Sequence, residues 1–173
     1  LYFNAIDGSM RTVSFLEGKL QVVNGRDRIA LKPIGNGTFV TTTGAPVRHT
    51  FAEGGTDVEL RLGSNPEPLL KSEPFTPTPE QIADFAGTYR SDEFDAVYRM
   101  ALHEGAFRLE RSKMRPSPML PLVKDTFRAQ PGVIQFTRDA DGRVSGFVLQ
   151  GGRVKHVKFW KDPTSPRTTS TPR

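Results

Sequence analysis

Two copies of one pattern follow each other along the sequence, and this duplication limits the chain to a tandem fold. Tyr2 and Gly18 recur as Tyr89 and Gly105, and both pairs are 87 residues apart, so this part of the register needs no gap. Later apolar, turn and proline positions recur in the same order. These further matches are Leu31–Ile34 with Met119–Leu122, Thr38–Phe39 with Thr126–Phe127, and Phe51 with Phe136.

Apolar and polar residues alternate in short runs of both copies, which is typical of strands with one buried face. Glycine in the tight-turn pairs between the runs supplies the positive φ that short hairpins need. Each copy has room for about eight short strands, the number at which an up-and-down barrel closes over its own side chains. We therefore predict an all-β fold of two tandem antiparallel barrels. The runs and turns are Val13–Phe15, Leu20–Val22, Val58–Leu62, Met100–Leu102, Phe107–Leu109, Glu17–Gly18, Glu104–Gly105 and Asp141–Gly142.

The segment between the copies is rich in proline and is expected to be extended and stiff. A short helix should follow it, with Thr78 as N-cap, Pro79 in the first turn and Gln81 at the capping-box position. An equivalent helix is expected before Leu1, so the first repeat should continue beyond that residue. The predicted division is 1–72 for the first barrel, 73–84 for linker and helix, 85–162 for the second barrel, and 163–173 for a disordered tail.

Composition narrows the classes of function. The chain has no cysteine, which excludes disulfides, thiolate metal sites and a cysteine nucleophile. The net charge is +5, yet basic and acidic residues alternate along the strands, so nucleic acid is not expected as a partner. No apolar run is long enough to span a bilayer. The absence of cysteine fits an exported protein as well as a cytoplasmic one, and the compartment stays open.

The second copy resembles the C-terminal barrel module of serine β-lactamase-like hydrolases, the group that includes penicillin-recognising esterases and D-aminopeptidase. The first copy departs more from that pattern. The resemblance is carried by Pro79–Ser91, Glu104–Gly105, Leu120–Leu122, Thr126–Phe127, Phe136–Val144, Arg153–Val154 and Val157–Phe159.

This resemblance implies lipocalin-like barrels packed on a preceding catalytic domain with Ser-x-x-Lys, Tyr-x-Asn and His/Lys-x-Gly elements. In D-aminopeptidase-like members a barrel loop approaches the mouth of the active site. The implied partner is thus an N-terminal β-lactamase-like domain, in the same polypeptide or as a separate fragment. The implied function is a non-catalytic accessory module that stabilises the hydrolase and shapes access to its site.

The chain itself carries no complete catalytic set. No serine is followed at the third position by lysine, so nothing here matches the family's nucleophile. Tyr2–Asn4 spells Tyr-x-Asn and His103–Gly105 spells His-x-Gly, but both fall on a predicted strand or turn of the repeat. We therefore interpret them as coincidences and predict no catalytic residue and no cofactor in this chain.

Metal ligation is not predicted either. The histidines are not spaced as metal ligands, and His49 occupies the position of Ile134, which favours a partly buried structural role. Asp139 and Asp141 resemble the start of a calcium loop, but the rest of that loop is missing and a hairpin turn is favoured.

One loop is a candidate for function. Residues 111–118 are basic and stiffened by proline, and Arg111, Lys113 and Arg115 could reach a neighbouring domain and attract a substrate carboxylate. A solvated hairpin end is the plainer interpretation. A free-standing, lipocalin-like barrel that binds a small apolar ligand is the alternative function. Bulky pairs such as Phe15/Leu102 and Leu20/Phe107 are expected to fill the barrels and leave such a ligand little room.

Overall fold

In a computed structural model, the residues described are 1–4, 8, 10–24, 26–44, 46–54, 57–62, 69–151 and 154–164. The chain divides into two compact units, Leu1–Pro74 and Phe75–Arg173. Three sequence predictions concern features that the structure does not describe: residues 63–68 of the proline-rich segment Gly63–Pro79, residues 165–173 of the tail, and the inward direction of the Val58–Leu62 side chains.

The first unit is a closed antiparallel barrel in which each strand pairs with its neighbour in sequence and β1 closes on β8. Its tight turns have the geometry that the sequence predicts, since Glu17 and Gly18 have φ of 52° and 73°. The strands are β1 Tyr2–Phe3, β2 Met10–Leu16, β3 Lys19–Asn24, β4 Asp27–Gly35, β5 Thr38–Thr41, β6 Arg48–Gly54, β7 Asp57–Leu62 and β8 Leu69–Lys71.

The second unit begins with one helix and continues as a curled antiparallel sheet of nine strands. Its order is β12-β11-β10-β9-β17-β16-β15-β14-β13. The two edge strands are consecutive in the chain and only Met119 separates them, so the chain itself bridges the two edges. The elements are α1 Pro79–Phe85, β9 Gly87–Ser91, β10 Ala96–His103, β11 Ala106–Arg111, β12 Ser117–Pro118, β13 Leu120–Val123, β14 Thr126–Ala129, β15 Gly132–Arg138, β16 Val144–Gly151 and β17 Val154–Lys161.

The strands of the two units correspond in order, which confirms the predicted tandem barrels. Strands β1–β3 match β9–β11, β4 matches β12 and β13 together, and β5–β8 match β14–β17. Even single hydrogen bonds recur: the amide of Phe51 donates to the carbonyl of Gly37 at 3.0 Å, and that of Phe136 to Asp125 at 2.8 Å. The duplication therefore extends to the register of the β5–β6 and β14–β15 pairs.

Aromatic rings fill the centre of the second barrel. Phe127 is 1% exposed, and its ring lies between 5.1 and 6.2 Å from four others. Edge-to-face pairs at such distances add about 0.5–1.5 kcal/mol each beyond the burial of their surface. The four rings belong to Phe75, Phe85, Phe107 and Phe136.

The helix α1 begins as predicted. The Thr78 hydroxyl accepts from the amide of Gln81 at 3.3 Å, and the Gln81 side chain accepts from the amide of Thr78 at 2.9 Å. This reciprocal capping box satisfies two amides that the first turn leaves without partners. Only Phe85 of the helix is fully buried, so the helix adds a single aromatic side chain to the barrel interior.

Side chains of the barrel hold the far end of this helix. The Tyr89 hydroxyl donates to the carbonyl of Phe85 at 2.8 Å, and the Lys161 ammonium donates to the carbonyl of Asp84 at 2.7 Å. Arg138 bonds the carboxylates of Asp84 and Asp125. These bonds raise the pKa of Arg138 above its usual value, with Asp125 as the largest cause.

Candidate functional site

The basic loop lies between β11 and β12, and its three cations are not equivalent. Arg111 ends β11 half-buried, with its guanidinium carbon 6.0 Å from the centre of the Tyr98 ring. No described residue hydrogen-bonds its buried Nε. Lys113 and Arg115 are exposed, and Lys113 adopts a left-handed φ of 61°. Arg111 therefore packs on its own barrel, and only Lys113 and Arg115 are available to a partner.

The two short motifs that match the hydrolase pattern belong to different units of the chain. Tyr2 belongs to β1, where its half-buried ring packs 5.8 Å from that of Phe51, and Asn4 follows the strand as a buried residue. His103 and Gly105 instead form the exposed end of the β10–β11 hairpin in the other unit. Each motif thus occupies the strand or turn position that the repeat assigns to it.

The Asp139–Gly142 segment is the predicted hairpin turn between β15 and β16. One carboxylate oxygen of Asp139 accepts from the amides of Asp141 at 3.0 Å and Arg143 at 2.9 Å. Gly142 closes the turn with a φ of 77°. Within the described part of the chain, no group of three or more His, Cys, Asp or Glu residues is placed to hold a metal ion.

His49 is more deeply buried than its predicted partial burial. It is 4% exposed on β6, opposite Phe39, and no described residue hydrogen-bonds either ring nitrogen. Burial lowers the pKa of His49 below its usual value of 6.5, and the nearby charge of Arg11 lowers it further. The second barrel has the apolar Ile134 at this place, opposite Phe127.

Replacing His49 with isoleucine should stabilise the first barrel and remove a pH dependence. Because the folded-state pKa is lowered, the unfolded chain binds the proton first, so stability is fully present above pH 6.5 and falls below it. Removing two unsatisfied buried nitrogens should add about 1 kcal/mol at neutral pH. Calorimetry from pH 7.5 to 5 should show a smaller fall in Tm for His49→Ile than for the parent. His103→Gln, at an exposed histidine, is the control and should keep the parent's dependence.

An open cleft lies at one end of the first barrel, and the sequence did not predict it. It has a volume of about 540 Å³ and is lined by Phe15, Leu20, Leu31, Phe39 and the flanking Lys19 and Lys32. Phe15, Leu20 and Leu31 are paired side by side across β2, β3 and β4, so they share one face. Phe15 is 74% exposed, so the expectation that this residue fills the barrel was wrong.

The sequence matches no protein-family model and no curated protein. Among the described residues, no helix has the length and apolar character needed to cross a bilayer.

Proposed function

We propose that this chain is a non-catalytic accessory module of a serine β-lactamase-like hydrolase of the D-aminopeptidase type. Its expected work is to stabilise the catalytic domain and to shape the approach of substrates. The tandem antiparallel barrels carry the proposal, because this is the architecture that the resemblance of residues 79–161 implies.

The packing of the second barrel supports a structural role. Its interior holds the stacked rings of Phe147 and Phe159, 4.5 Å apart, and the tilted pair of Phe85 and Phe136, 4.6 Å apart. Tyr89, which could otherwise hydrogen-bond a ligand, is fully buried and donates to a main-chain carbonyl of the same unit. Side chains filling the centre of a small barrel give a rigid scaffold that can present its loops.

The alternative function is a free-standing barrel that binds a small apolar ligand. The cleft of the first barrel favours it, since its lining is mainly apolar and its volume lies within the usual range for ligand pockets. Lys19 and Lys32 at that cleft would suit a ligand with a carboxylate.

The accessory function is tested by dividing the hydrolase into parts. We expect the coding sequence upstream of Leu1 to continue in frame into a domain with Ser-x-x-Lys and Tyr-x-Asn. A fluorescent penicillin should acylate that domain and leave the two barrels unlabelled. Removing the barrels from the complete enzyme should lower its Tm and change kcat/KM between short and bulky substrates. A start codon directly before Leu1, or labelling of this chain alone, would contradict the proposal.

Charge reversal in the basic loop tests how the module would affect substrates. Lys113→Glu with Arg115→Glu changes two exposed cations and leaves the packed Arg111 intact. In the complete enzyme we expect kcat/KM for substrates with a free carboxylate to fall about three- to tenfold, since a nearby attractive charge becomes repulsive. Neutral substrates should be unaffected. Lys124→Glu with Lys158→Glu, at exposed positions elsewhere, is the charge-matched control. Equal effects of the two pairs would exclude a specific role of the loop.

A further inference from the structure

Helix α1 and the residues before it close one end of the second barrel. The rings of Phe75 and Phe85 lie 6.2 Å and 5.1 Å from that of Phe127. The amide of Phe75 also donates to the carbonyl of Leu122 at 3.4 Å, and Ile82 packs against the same cluster. These contacts exclude water from the apolar residues at that end.

The corresponding end of the first barrel is the open cleft. Leu122 is 6% exposed, whereas Ile34 at the matching position of β4 is 51% exposed. Leu102 is half-buried against the core of its barrel, whereas its counterpart Phe15 is 74% exposed. Phe107 and Phe127 are buried, and their counterparts Leu20 and Phe39 are only half-buried. Of these positions, Leu122 and Phe127 are the ones that Phe75 and Phe85 contact in the second barrel.

Two side chains that hold the end of α1 are repeated in the first barrel. In the second barrel, Tyr89 and Lys161 are paired across β9 and β17 and donate to the helix carbonyls of Phe85 and Asp84. Tyr2 and Lys71 are paired across β1 and β8 in the matching register. The first barrel therefore has both donors at matching positions, and the Tyr2 ring packs on that of Phe51, which in turn packs on Phe39 of the cleft lining.

We propose that the cleft of the first barrel is the docking site of a short amphipathic helix that precedes β1 in the same polypeptide. An aromatic residue four positions before Tyr2 would enter the cleft, as Phe85 does four positions before Tyr89. Tyr2 and Lys71 would donate to the last carbonyls of this helix. The inference does not depend on the hydrolase function, because it follows from the internal duplication.

Charge and packing define the kind of helix that fits. Helix α1 carries Glu80 and Asp84, and a similarly acidic helix would complement Lys19 and Lys32 at the cleft. Arg138 bridges Asp84 of α1 and Asp125 in the second barrel, and Asp125 has Gly37 as its counterpart, so this ion-pair bridge is not repeated. Docking in the first barrel would thus rely on apolar burial, on the two donors and on the charges of Lys19 and Lys32.

A fusion of the chain's own helix tests the proposal. Residues 75–87 are copied and joined directly before Leu1, which places the copied Phe85 four positions before Tyr2. The Tm of the first unit should rise by about 5–10 °C, the shift expected when one or two apolar side chains become buried in a domain of this size. The fusion should also suppress binding of 1-anilinonaphthalene-8-sulfonate, which we expect to bind the open cleft of the unfused chain.

The matched control carries Ile82→Asp and Phe85→Asp in the copied segment alone. It should show neither the rise in Tm nor the loss of dye binding, and Lys71→Met in the intact fusion should lower the gain. Equal gains with and without the two aspartates would overturn the proposal. The proposal would also be overturned if the unfused chain bound no dye, or if the fusion still bound a long-chain fatty acid in the cleft. A homodimer that buries the cleft, detected by sedimentation of the unfused chain, would overturn it as well.

Discussion

Replacing Phe127 with alanine should unfold or severely weaken the second barrel, at an expected cost of about 3–5 kcal/mol. Phe127 contacts four aromatic rings and is 1% exposed, so truncation leaves a cavity at the meeting point of α1, β11 and β15. The fluorescence of Trp160, the single tryptophan, follows this unit because it lies on β17. Urea unfolding monitored by that fluorescence measures the loss.

Phe39→Ala is the matched control for this prediction, because Phe39 occupies the same register in the first barrel. Its ring is half-buried and packs 5.5 Å from the ring of Phe51. We expect a cost of about 1–2 kcal/mol, confined to the first unit, because less surface is buried there. Equal costs for the two substitutions would show that α1 adds little to the core of the second barrel.

Gly146→Ala should destabilise the second barrel by about 2–3 kcal/mol, which is a large effect for one added methyl group. A Cβ at this position of β16 would press against the main-chain carbonyl of Phe159 on the paired strand β17. Backbone cannot move aside as a flexible side chain can, so the two strands would have to separate. Thermal unfolding of the purified variant measures the cost.

Ser145→Ala is the control on the same strand. It removes exposed hydrogen bonds with Thr137 but introduces no new contact, so we expect a change within about 0.5 kcal/mol. A Tm of Gly146→Ala within 1–2 °C of the parent would show that β16 and β17 can shift apart at little cost.

Features with a local cause could be predicted from the sequence. The turn at Glu17–Gly18 follows from the need for positive φ in a short hairpin, and the start of α1 from the capping pair Thr78 and Gln81. The duplication showed which segments of the two copies correspond, because matching residues repeat at a nearly constant spacing. For the candidate loop, sequence placed three cations together but could not separate the packed Arg111 from the exposed Lys113 and Arg115.

By itself, then, the sequence determined a tandem of antiparallel barrels, the turns that connect their strands, and the helix before the second barrel. Only the tertiary structure decided which inward-facing positions are covered. Alternation assigns Phe15 and Leu102 to the same face of their strands, yet Phe15 is exposed and Leu102 is packed. The physical reason is that burial depends on another element of the fold lying over the face. Among the described residues, α1 is such an element, and it covers the end of the second barrel.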